Sequence, residues 1–486
     1  MGSRQGRIAG ISAALSVAAG VAAAPLAAEI RLPVVAASLL CAAGIGSYAL
    51  LEWWRAGAGE SGRPSLGWAS PDIGDEAVAR PELAARLVRL LTAQRPSPTV
   101  VSIRLQGAGG FGKTTLAAQV CQRADVRARF PGGLVWITVG RDAEGAVLAA
   151  KINGLARQPD DDPPTSSDPE QAGRELIGRL ARFPPTLLVI DDVWTSSQLS
   201  PMLCADAPQC LRLVTTRRPE LLPRTANVVD VDEMTSAEAQ ALLCRGIGQP
   251  MPDALRERLF TLTGRWPLLL ALVNGGIRRS MSPRGWNLGL EEAAERIIGW
   301  LTSSGPAVLD IAIERQRNLA VSACIEYSLE QLAGDGRNRF LELGIFPAGG
   351  PVPVAALGLL WGRSAGLDRQ QADLLCEEMA DLSLLRFSGT ADGPGVRVHD
   401  AVRDYARTML APQGRVLVNT YLLDAARGLI DGGHAVGGTL TAWWTLPGSQ
   451  SYLRRELAYH LAEAGLGEEL DWLVTDLRWL VATVYW

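Results

Sequence analysis

The chain has 486 residues, too many for one hydrophobic core, and this length predicts roughly three or four domains. Its net charge is −4 with both signs well mixed, so nothing electrostatic indicates a nucleic-acid partner. The seven cysteines are scattered and form no C-x-x-C pair, which argues against a zinc site or a disulfide framework and favours a reducing compartment.

The N-terminal end contains two long stretches without a charged residue, 8–28 and 32–51. Each would measure about 30 Å as a helix, enough to cross the hydrocarbon core of a bilayer. A short polar turn, Glu29–Arg31, separates them. We therefore expect two transmembrane helices within residues 1–55, arranged as a hairpin with both ends in the cytoplasm. Two alternatives stay open: a signal-peptide cleavage region near 22–24 that leaves one span, and alanine-rich helices of a soluble bundle.

Residues 56–76 are rich in Gly, Ser and Pro and show no apolar period, which predicts a flexible linker. An α/β domain is expected next, over residues 77–234, because largely apolar runs of β-favouring residues recur there. Runs of this kind are typical of parallel strands covered by helices on both faces. The runs occupy 100–105, 133–139, 186–194 and 211–217.

The segment after the first run fits the phosphate-binding pattern G-x-x-x-x-G-K-[ST]. Its glycines let backbone N–H groups surround a β-phosphate, Lys113 can reach the β- and γ-phosphate oxygens, and the Thr114 hydroxyl is placed to ligate Mg²⁺. Lys113 is one of only two lysines beside 45 arginines, which indicates that this position needs a compact ammonium. A nucleotide site with Mg²⁺ is therefore predicted. Its expected binding residues are Gly107, Gly109, Gly110, Gly112, Lys113, Thr114 and Thr115.

Charged side chains follow two further runs at the point where each run ends. Asp191 and Asp192 follow the apolar residues 187–190 of the third run, and Arg217 ends the fourth. Open α/β sheets bind their ligands at the C-terminal ends of the strands. We expect Asp191 to hold Mg²⁺, directly or through water, and Asp192 to orient or deprotonate an attacking water. Arg217 could reach a γ-phosphate, the alternative being an exposed arginine in a turn.

The order of these motifs resembles that of the NB-ARC branch of the STAND P-loop ATPases, the group of the apoptotic protease-activating factor and the plant resistance proteins. The resemblance covers roughly residues 77–410, and within the family the sequence resembles the bacterial members. The motifs that carry it are GAGGFGKTT, LLVIDDVW, LVTTR, Gly264–Leu268 and Val398–Asp400. It implies ATP and ADP as the nucleotides.

The resemblance also implies roles for residues outside the phosphate loop. It implies that Pro267 packs near the adenine and ribose, and that His399 reaches the β-phosphate of ADP from a separate domain. Arg80, in a V-x-R-x-E-L element, would contact the nucleotide as well. The alternative for His399 is an ordinary polar residue at a strand end. Trp266 is bulky where the family usually has a small residue, which indicates a different wall of the pocket.

Three further domains are expected after the α/β domain. Helical patterning begins at the capping residue Thr235 and predicts a helical domain over 235–305. Successive helices and then a hairpin around a Gly- and Pro-rich turn at 388–395 predict a winged-helix domain over 306–410. The tryptophan-rich remainder, 411–486, is expected to form a helical C-terminal arm.

Together these features predict a membrane-anchored nucleotide switch, located in a membrane with its nucleotide-binding domains in the cytoplasm. By the resemblance, ADP holds the closed state, and ATP with Mg²⁺ gives an active homo-oligomer that triggers an N-terminal membrane effector in signalling or defence. Slow ATP hydrolysis would reset the switch. A separate sensor or protein partner could bind the C-terminal arm, and no nucleic acid is expected. The alternatives are a tethered ADP-binding scaffold and a transcriptional regulator that binds DNA through its winged helix, neither with significant ATP turnover.

Overall fold

The computed structural model describes most of the chain beyond residue 65. The described residues are 66–68, 70–71, 77–93, 102–106, 110–141, 143–155, 166–203, 207, 209–221, 227–306, 309, 313–347, 350–390, 392–430 and 441–479. None of the helices within these ranges combines the length and the apolarity that a bilayer span requires. The predicted membrane location is therefore wrong for the described part of the chain. The segments 8–28 and 32–51, on which that prediction and the transmembrane hairpin rested, lie outside the described residues.

A parallel sheet forms in the first half of the chain, as predicted, and it has one strand more than the four predicted runs. Its strands are β1 (Ser102–Gln106), β2 (Gly133–Thr138), β3 (Thr186–Val193), β4 (Cys210–Thr216) and β5 (Asn227–Asp230). Their spatial order is β2–β3–β4–β1–β5. Because all neighbours are parallel, the C-terminal ends of the strands lie along one edge of the sheet.

Helices cover both faces of this sheet, as continuously apolar strands require. They are α1 (Pro81–Ala93), α2 (Lys113–Cys121), α3 (Ala124–Arg129), α4 (Gly145–Leu155), α5 (Pro169–Leu180) and α6 (Ser196–Leu203). Side chains alternate along β3. Leu187 and Val189 join the core that includes α1 and α2, and Leu188 and Ile190 join the core that includes α4, α5 and α6. β3 is therefore buried from both sides, which holds the carboxylates at its C-terminal end in a rigid frame.

A short stretch inside the predicted linker belongs to the fold. Trp68 forms a parallel bridge with Leu134 at the outer edge of β2. Its indole Nε1 donates a hydrogen bond to the carbonyl of Cys121 over 2.8 Å. The prediction of a flexible linker over 56–76 therefore fails at 66–68, because an edge strand offers backbone partners to any extended segment that reaches it.

Four helices follow the sheet. They are α7 (Ser236–Leu243), α8 (Asp253–Thr263), α9 (Pro267–Met281) and α10 (Leu290–Ser304). Thr235 and Glu238 form a capping box at the start of α7, each side chain accepting from the other residue's backbone N–H. Gly264 ends α8 with a φ of 55°, and Pro267 begins α9 at its first position. These local signals set the path of the chain back towards the sheet.

The next elements combine helices with a three-stranded antiparallel sheet. They are α11 (Glu314–Leu329), α12 (Gly336–Glu342), β6 (Val352–Pro353), α13 (Val354–Ala365), α14 (Arg369–Asp381), β7 (Leu385–Thr390) and β8 (Gly393–Val398). β8 lies between β6 and β7. The hairpin is tighter than the predicted turn at 388–395, since the ladder continues to the pair Thr390–Gly393. Pro394 fits there because β6 pairs only with residues 395–396, which leaves Pro394 without a third-strand neighbour.

A kinked helix connects this unit to the C-terminal arm. The remaining helices are α15 (Asp400–Arg427), α16 (Ser451–Glu463) and α17 (Gly467–Thr475). α15 is broken at Ala411, which has a φ of 56° and precedes Pro412. Before the kink, Arg407 Nη2 donates hydrogen bonds to both carboxylate oxygens of Glu463 on α16, over 2.9 and 2.8 Å. This bidentate pair holds α16 against the first half of α15.

Candidate functional site

The described part of the phosphate loop runs from Gly110 into the start of α2. Gly110 and Gly112 both have left-handed backbones, with φ values of 79° and 84°. Only glycine adopts these conformations without strain, which explains the glycines of the motif. Gly112 is the N-cap of α2, and helix N-termini attract anions through their backbone N–H groups. The predicted residues Gly107 and Gly109 lie outside the described residues.

Asp191 is joined to the phosphate loop by direct hydrogen bonds. Its Oδ1 accepts from Thr114 Oγ1 over 2.8 Å and from Thr215 Oγ1 over 2.6 Å. Its Oδ2 accepts from Thr138 Oγ1 over 3.4 Å. Burial raises the pKa of this carboxyl, and the hydrogen bonds from Thr215 and Thr114 act in the opposite direction. One carboxylate thus gathers side chains from β2, β3, β4 and α2.

This oxygen-rich arrangement fits a magnesium ion. A hydroxyl and a carboxylate side by side are hard ligands of the kind that Mg²⁺ prefers. The part of the chain that the structure describes holds no group of three or more His, Cys, Asp and Glu side chains suited to a metal. A cation beside Thr114 and Asp191 would therefore take its other ligands from phosphate oxygens and water, as Mg²⁺ in nucleotide sites commonly does.

Lys113 is the first residue of α2, and its side chain is buried, 8% exposed. Burial, followed by the nearby charge of Arg217, lowers the pKa of the ammonium to about 8, while Asp192 and Asp191 act in the opposite direction. A desolvated ammonium beside a helix N-terminus favours a multiply charged anion such as a phosphate. Thr115, the next residue but one, is half-buried in the same turn.

Arg217 follows β4 and lies between two parts of the molecule. Its Nε is 3.9 Å from Asp192 Oδ1, and its Nη2 is 3.7 Å from Asp400 Oδ2. The guanidinium also lies over the ring of Trp194, 4.6 Å from the centroid. Asp192 has a left-handed backbone, φ 55°, where the register between β3 and β4 shifts. This shift separates the two acids, since Asp191 bonds to the threonines and Asp192 pairs with Arg217.

His399 stands at the start of α15, next to Asp400. Its Nδ1 accepts a hydrogen bond from the backbone N–H of Ala401 over 3.2 Å, which caps the helix. Because Nδ1 accepts, the proton of the neutral ring is on Nε2. Burial lowers the pKa of His399 to about 4; Asp400 opposes this, whereas Arg217 and Lys113 add to it. The start of α15 therefore brings a neutral N–H donor into electrostatic reach of the phosphate-loop lysine.

Pro267 and its neighbour Trp266 lie on the other side of the phosphate loop. Trp266 is buried and stacks on Phe111, with ring centroids 5.9 Å apart and an interplanar angle of 24°. A Cβ at Gly110 would approach Trp266 Nε1 to 2.9 Å, so the loop and the indole are in close contact. Pro267 follows directly as the first residue of α9. The bulky Trp266 noted in the sequence thus supports the loop from behind.

The side chain of Arg80 is buried and bonded to protein groups. Its Nε is 3.3 Å from Glu238 Oε2. Its Nη1 donates to the carbonyl of Asp232 over 3.0 Å, and its Nη2 donates to the carbonyl of Glu233 over 2.8 Å. A longer bond of 3.4 Å joins Nη1 to the carbonyl of Phe111 in the phosphate loop. The structure therefore places Arg80 between the phosphate loop and the first turn of α7.

Three residues near the site were not predicted from the sequence. Trp194 holds Arg217 over its ring and also contacts the guanidinium of Arg141, 5.2 Å from the centroid. Its position directly after the strand-ending acids was visible, but no spacing rule links it to these arginines. Arg317 of α11 is close enough to lower the pKa of Lys113, and it lies in no motif. Only the folded arrangement brings these cations together.

Comparisons with known proteins agree with this geometry. Residues 82–250 match the NB-ARC domain family. Apoptotic protease-activating factor 1 of Danio rerio is 25% identical over 422 residues, 83% of this chain and 31% of the relative. The regulatory protein AfsR of Streptomyces griseus is 29% identical over 374 residues, 73% of this chain and 34% of the relative. The chain thus spans about a third of the length of these relatives.

Among solved structures, a STAND protein with a tetratricopeptide repeat sensor from Pyrococcus horikoshii is similar at 16% identity and a TM-score of 0.46. The matched region covers 74% of this chain and 46% of the Pyrococcus horikoshii chain. This similarity is too weak to support the family assignment. The family match itself runs from α1 beyond α7 and includes the phosphate loop, the acidic pair and Arg217. Residues 82–250 are therefore similar to NB-ARC domains, and the resemblance of the chain to the NB-ARC branch of the STAND P-loop ATPases is confirmed.

Proposed function

We propose that this nucleotide-binding signalling module is a switch that binds ADP in a closed state and ATP with Mg²⁺ in an active state. The observation that carries the proposal is the pairing of Arg217, at the edge of the parallel sheet, with Asp400, at the start of α15. A residue next to the phosphate loop thereby holds the proposed winged-helix unit, residues 306–410, which bears His399. In this proposal the described conformation is the closed state.

The nucleotide would bind at the edge where the strands end. The N–H groups of the loop from Gly110 to Thr115 and the Lys113 ammonium would hold the phosphates. Thr114 and Asp191 would hold Mg²⁺, which neutralises phosphate charge when bound. Pro267 would lie near the base because α9 starts against the phosphate loop. The loop glycines outside the described residues, Gly107 and Gly109, remain part of the proposed binding set.

His399 would recognise the β-phosphate as a neutral hydrogen-bond donor. Its Nδ1 is engaged by the N–H of Ala401, so Nε2–H is the group that can donate. This contact would make ADP a bridge between the loop and the winged-helix unit. A ligand that touches both units binds the closed state more tightly than the open one and so stabilises it.

Arg217 would make the switch sensitive to a third phosphate. Its guanidinium is shared between Asp192 and Asp400 at 3.9 and 3.7 Å, which are loose ion pairs. A γ-phosphate is a stronger partner for an arginine than a single distant carboxylate. Arg217 would therefore leave Asp400 for the phosphate, which weakens the closed state in ATP and leaves ADP as its ligand.

Hydrolysis would return the switch to ADP. Asp192 is a partly exposed carboxylate beside the proposed phosphate site, and it could orient or deprotonate an attacking water. Its ion pair with Arg217 reduces its availability as a base, which supports slow turnover. Arg217 itself would stabilise the charge on the γ-phosphoryl group while it is transferred from ATP to water.

Release of the winged-helix unit would allow homo-oligomers to form and an N-terminal effector to act. A protein partner or a separate sensor would act on the C-terminal arm. The arm is tied to α15 by the pair Arg407–Glu463, and α15 begins with His399 as its cap and Asp400 as its first residue. A force on α16 therefore reaches the contact at Arg217 through one helix. This continuity supports a role for the arm in triggering.

The test is the oligomeric state of the purified full chain in ADP and in ATP with Mg²⁺, measured by size-exclusion chromatography with light scattering. Wild-type protein should be monomeric in ADP and assemble in ATP. Lys113→Ala should bind neither nucleotide, and His399→Ala should assemble even in ADP. The matched control is Arg369→Ala, an exposed residue of the winged-helix unit that should behave as wild type. An oligomeric state that is the same in both nucleotides for every variant would contradict the switch.

A further inference from the structure

Arg80 occupies the point where three segments of the chain meet. Its guanidinium contacts the phosphate loop at the Phe111 carbonyl and the chain after β5 at the carbonyls of Asp232 and Glu233. It also pairs with Glu238 in the first turn of α7. These segments belong to the phosphate site, to the end of the sheet and to the four helices α7 to α10, here called the helical unit. One side chain therefore joins the loop to the element that follows the sheet.

The ion pair between Arg80 and Glu238 is buried. The two side chains are 7% and 8% exposed, unlike a surface pair. Glu238 also accepts from the backbone N–H of Thr235 over 3.0 Å, so its position is set by the capping box of α7. Removing one partner of a buried pair leaves the other charge without compensation. Arg80 and Glu238 should therefore act as one unit.

Phe111 is held at both ends. Arg80 binds its carbonyl, and its ring stacks on Trp266 at the start of α9. Gly110, one residue earlier, leaves the space that the indole occupies. The backbone that must present its N–H groups to phosphate is thus fixed against α7 through Glu238 and against α9 through Trp266. This arrangement differs from that of a residue that touches the base or the sugar.

We infer that Arg80 is a positioning residue that fixes the phosphate loop against the helical unit through Phe111 and Glu238, instead of contacting the nucleotide. The inference rests on the proposed binding of ADP at this loop. It assigns Glu238, a residue of the first turn of α7, to the control of phosphate affinity. Binding of the phosphates, and not of the adenosine, should depend on the pair.

The experiment measures ADP and adenosine affinities of the full chain by calorimetry for Arg80→Gln, Glu238→Gln and the double variant. Each single variant should weaken ADP binding about tenfold, and the double variant should stay near tenfold instead of reaching a hundredfold. Adenosine affinity should change less than twofold. The control is Arg258→Gln, which removes an exposed ion pair with Glu295 in the helical unit and should leave ADP affinity unchanged.

A direct contact to the nucleotide gives a different pattern. If Arg80→Gln weakens ADP and adenosine equally while Glu238→Gln has no effect, the positioning role is overturned. Unchanged ADP affinity in both single variants also overturns it. Should Arg80→Gln fail to fold in a thermal melt, Glu238→Gln still tests the pair, because it removes the carboxylate that holds Arg80 and should weaken ADP but not adenosine. Absence of ADP binding by wild-type protein would instead contradict the proposed function.

Discussion

Replacing Asp400 with Asn removes one charge of the contact between the sheet edge and α15 while it keeps the size of the side chain. The pair to Arg217 has a Nη2–Oδ2 distance of 3.7 Å. At that distance two unit charges attract by about 4 kcal/mol at an effective dielectric constant of 20, and by about 1 kcal/mol in water. The side chains are 30% and 42% exposed, so solvent screening brings the value to about 1 kcal/mol.

This magnitude sets the expected effect on the switch. A loss of about 1 kcal/mol from the closed state lowers the ratio of closed to open molecules roughly fivefold. The variant Asp400→Asn should therefore release a fluorescent ADP analogue about five times faster in stopped-flow experiments. The ATP concentration that gives half-maximal assembly should fall by a similar factor. Both effects should shrink at high salt, because the pair is partly exposed.

The matched control is Asp404→Asn on the same helix. Asp404 is 58% exposed and pairs with Arg403, which belongs to α15 as well, so the change in net charge is identical but no contact to the sheet edge is lost. Its ADP release should equal that of wild type. The reasoning is refuted if the two variants behave alike, or if Asp400→Asn releases ADP more slowly than wild-type protein.

Three further predictions concern single groups. Gly110→Ala should weaken ADP binding at least tenfold in a calorimetric titration, because a side chain at φ 79° is strained and would meet Trp266; wild-type affinity would contradict this. Because the pKa of Lys113 is lowered to about 8, the ammonium loses its proton above that pH, and ADP affinity should fall as pH rises from 8 to 9.5; a flat profile would count against the role of Lys113. The Asp392 carboxylate accepts hydrogen bonds from the backbone N–H groups of Ser451 and Tyr452 and so caps the start of α16. Such a cap is worth about 1 kcal/mol, so Asp392→Ala should lower the thermal midpoint by a few degrees and leave ADP affinity unchanged.

The arrangement along the sheet edge was predictable because parallel strands impose it. Parallel strands place a strand ending in Asp191 and a loop that presents Thr114 at the same edge of the sheet, and the strand order brings the two side chains within 2.8 Å. The glycines of the loop were equally predictable, since the left-handed conformation at Gly110 and Gly112 is a local property of the chain. Local geometry and sheet topology together account for this part of the site.

Contacts between distant units could not be predicted in the same way. No periodicity relates Arg217 to Asp400, or Arg80 to Glu238, because each pair depends on how helices pack after the sheet has formed. Trp68 is a further example. The composition around it is typical of a linker, but its backbone pairs with Leu134 at the outer edge of β2.

The prediction of a membrane location failed for a different reason. It rested on the length, the apolarity and the flanking residues of the segments 8–28 and 32–51, which lie outside the described residues. None of the described helices has the length and apolarity of a span.

In the proposed switch, the nucleotide controls the docking of the winged-helix unit on the phosphate site. The most direct test is a pulsed electron paramagnetic resonance distance between spin labels at the exposed positions Arg174 on α5 and Gln370 on α14. We predict one narrow distance distribution in ADP and a longer, broader one in ATP with Mg²⁺, with no such change in Lys113→Ala. The same narrow distribution in both nucleotides would contradict the account.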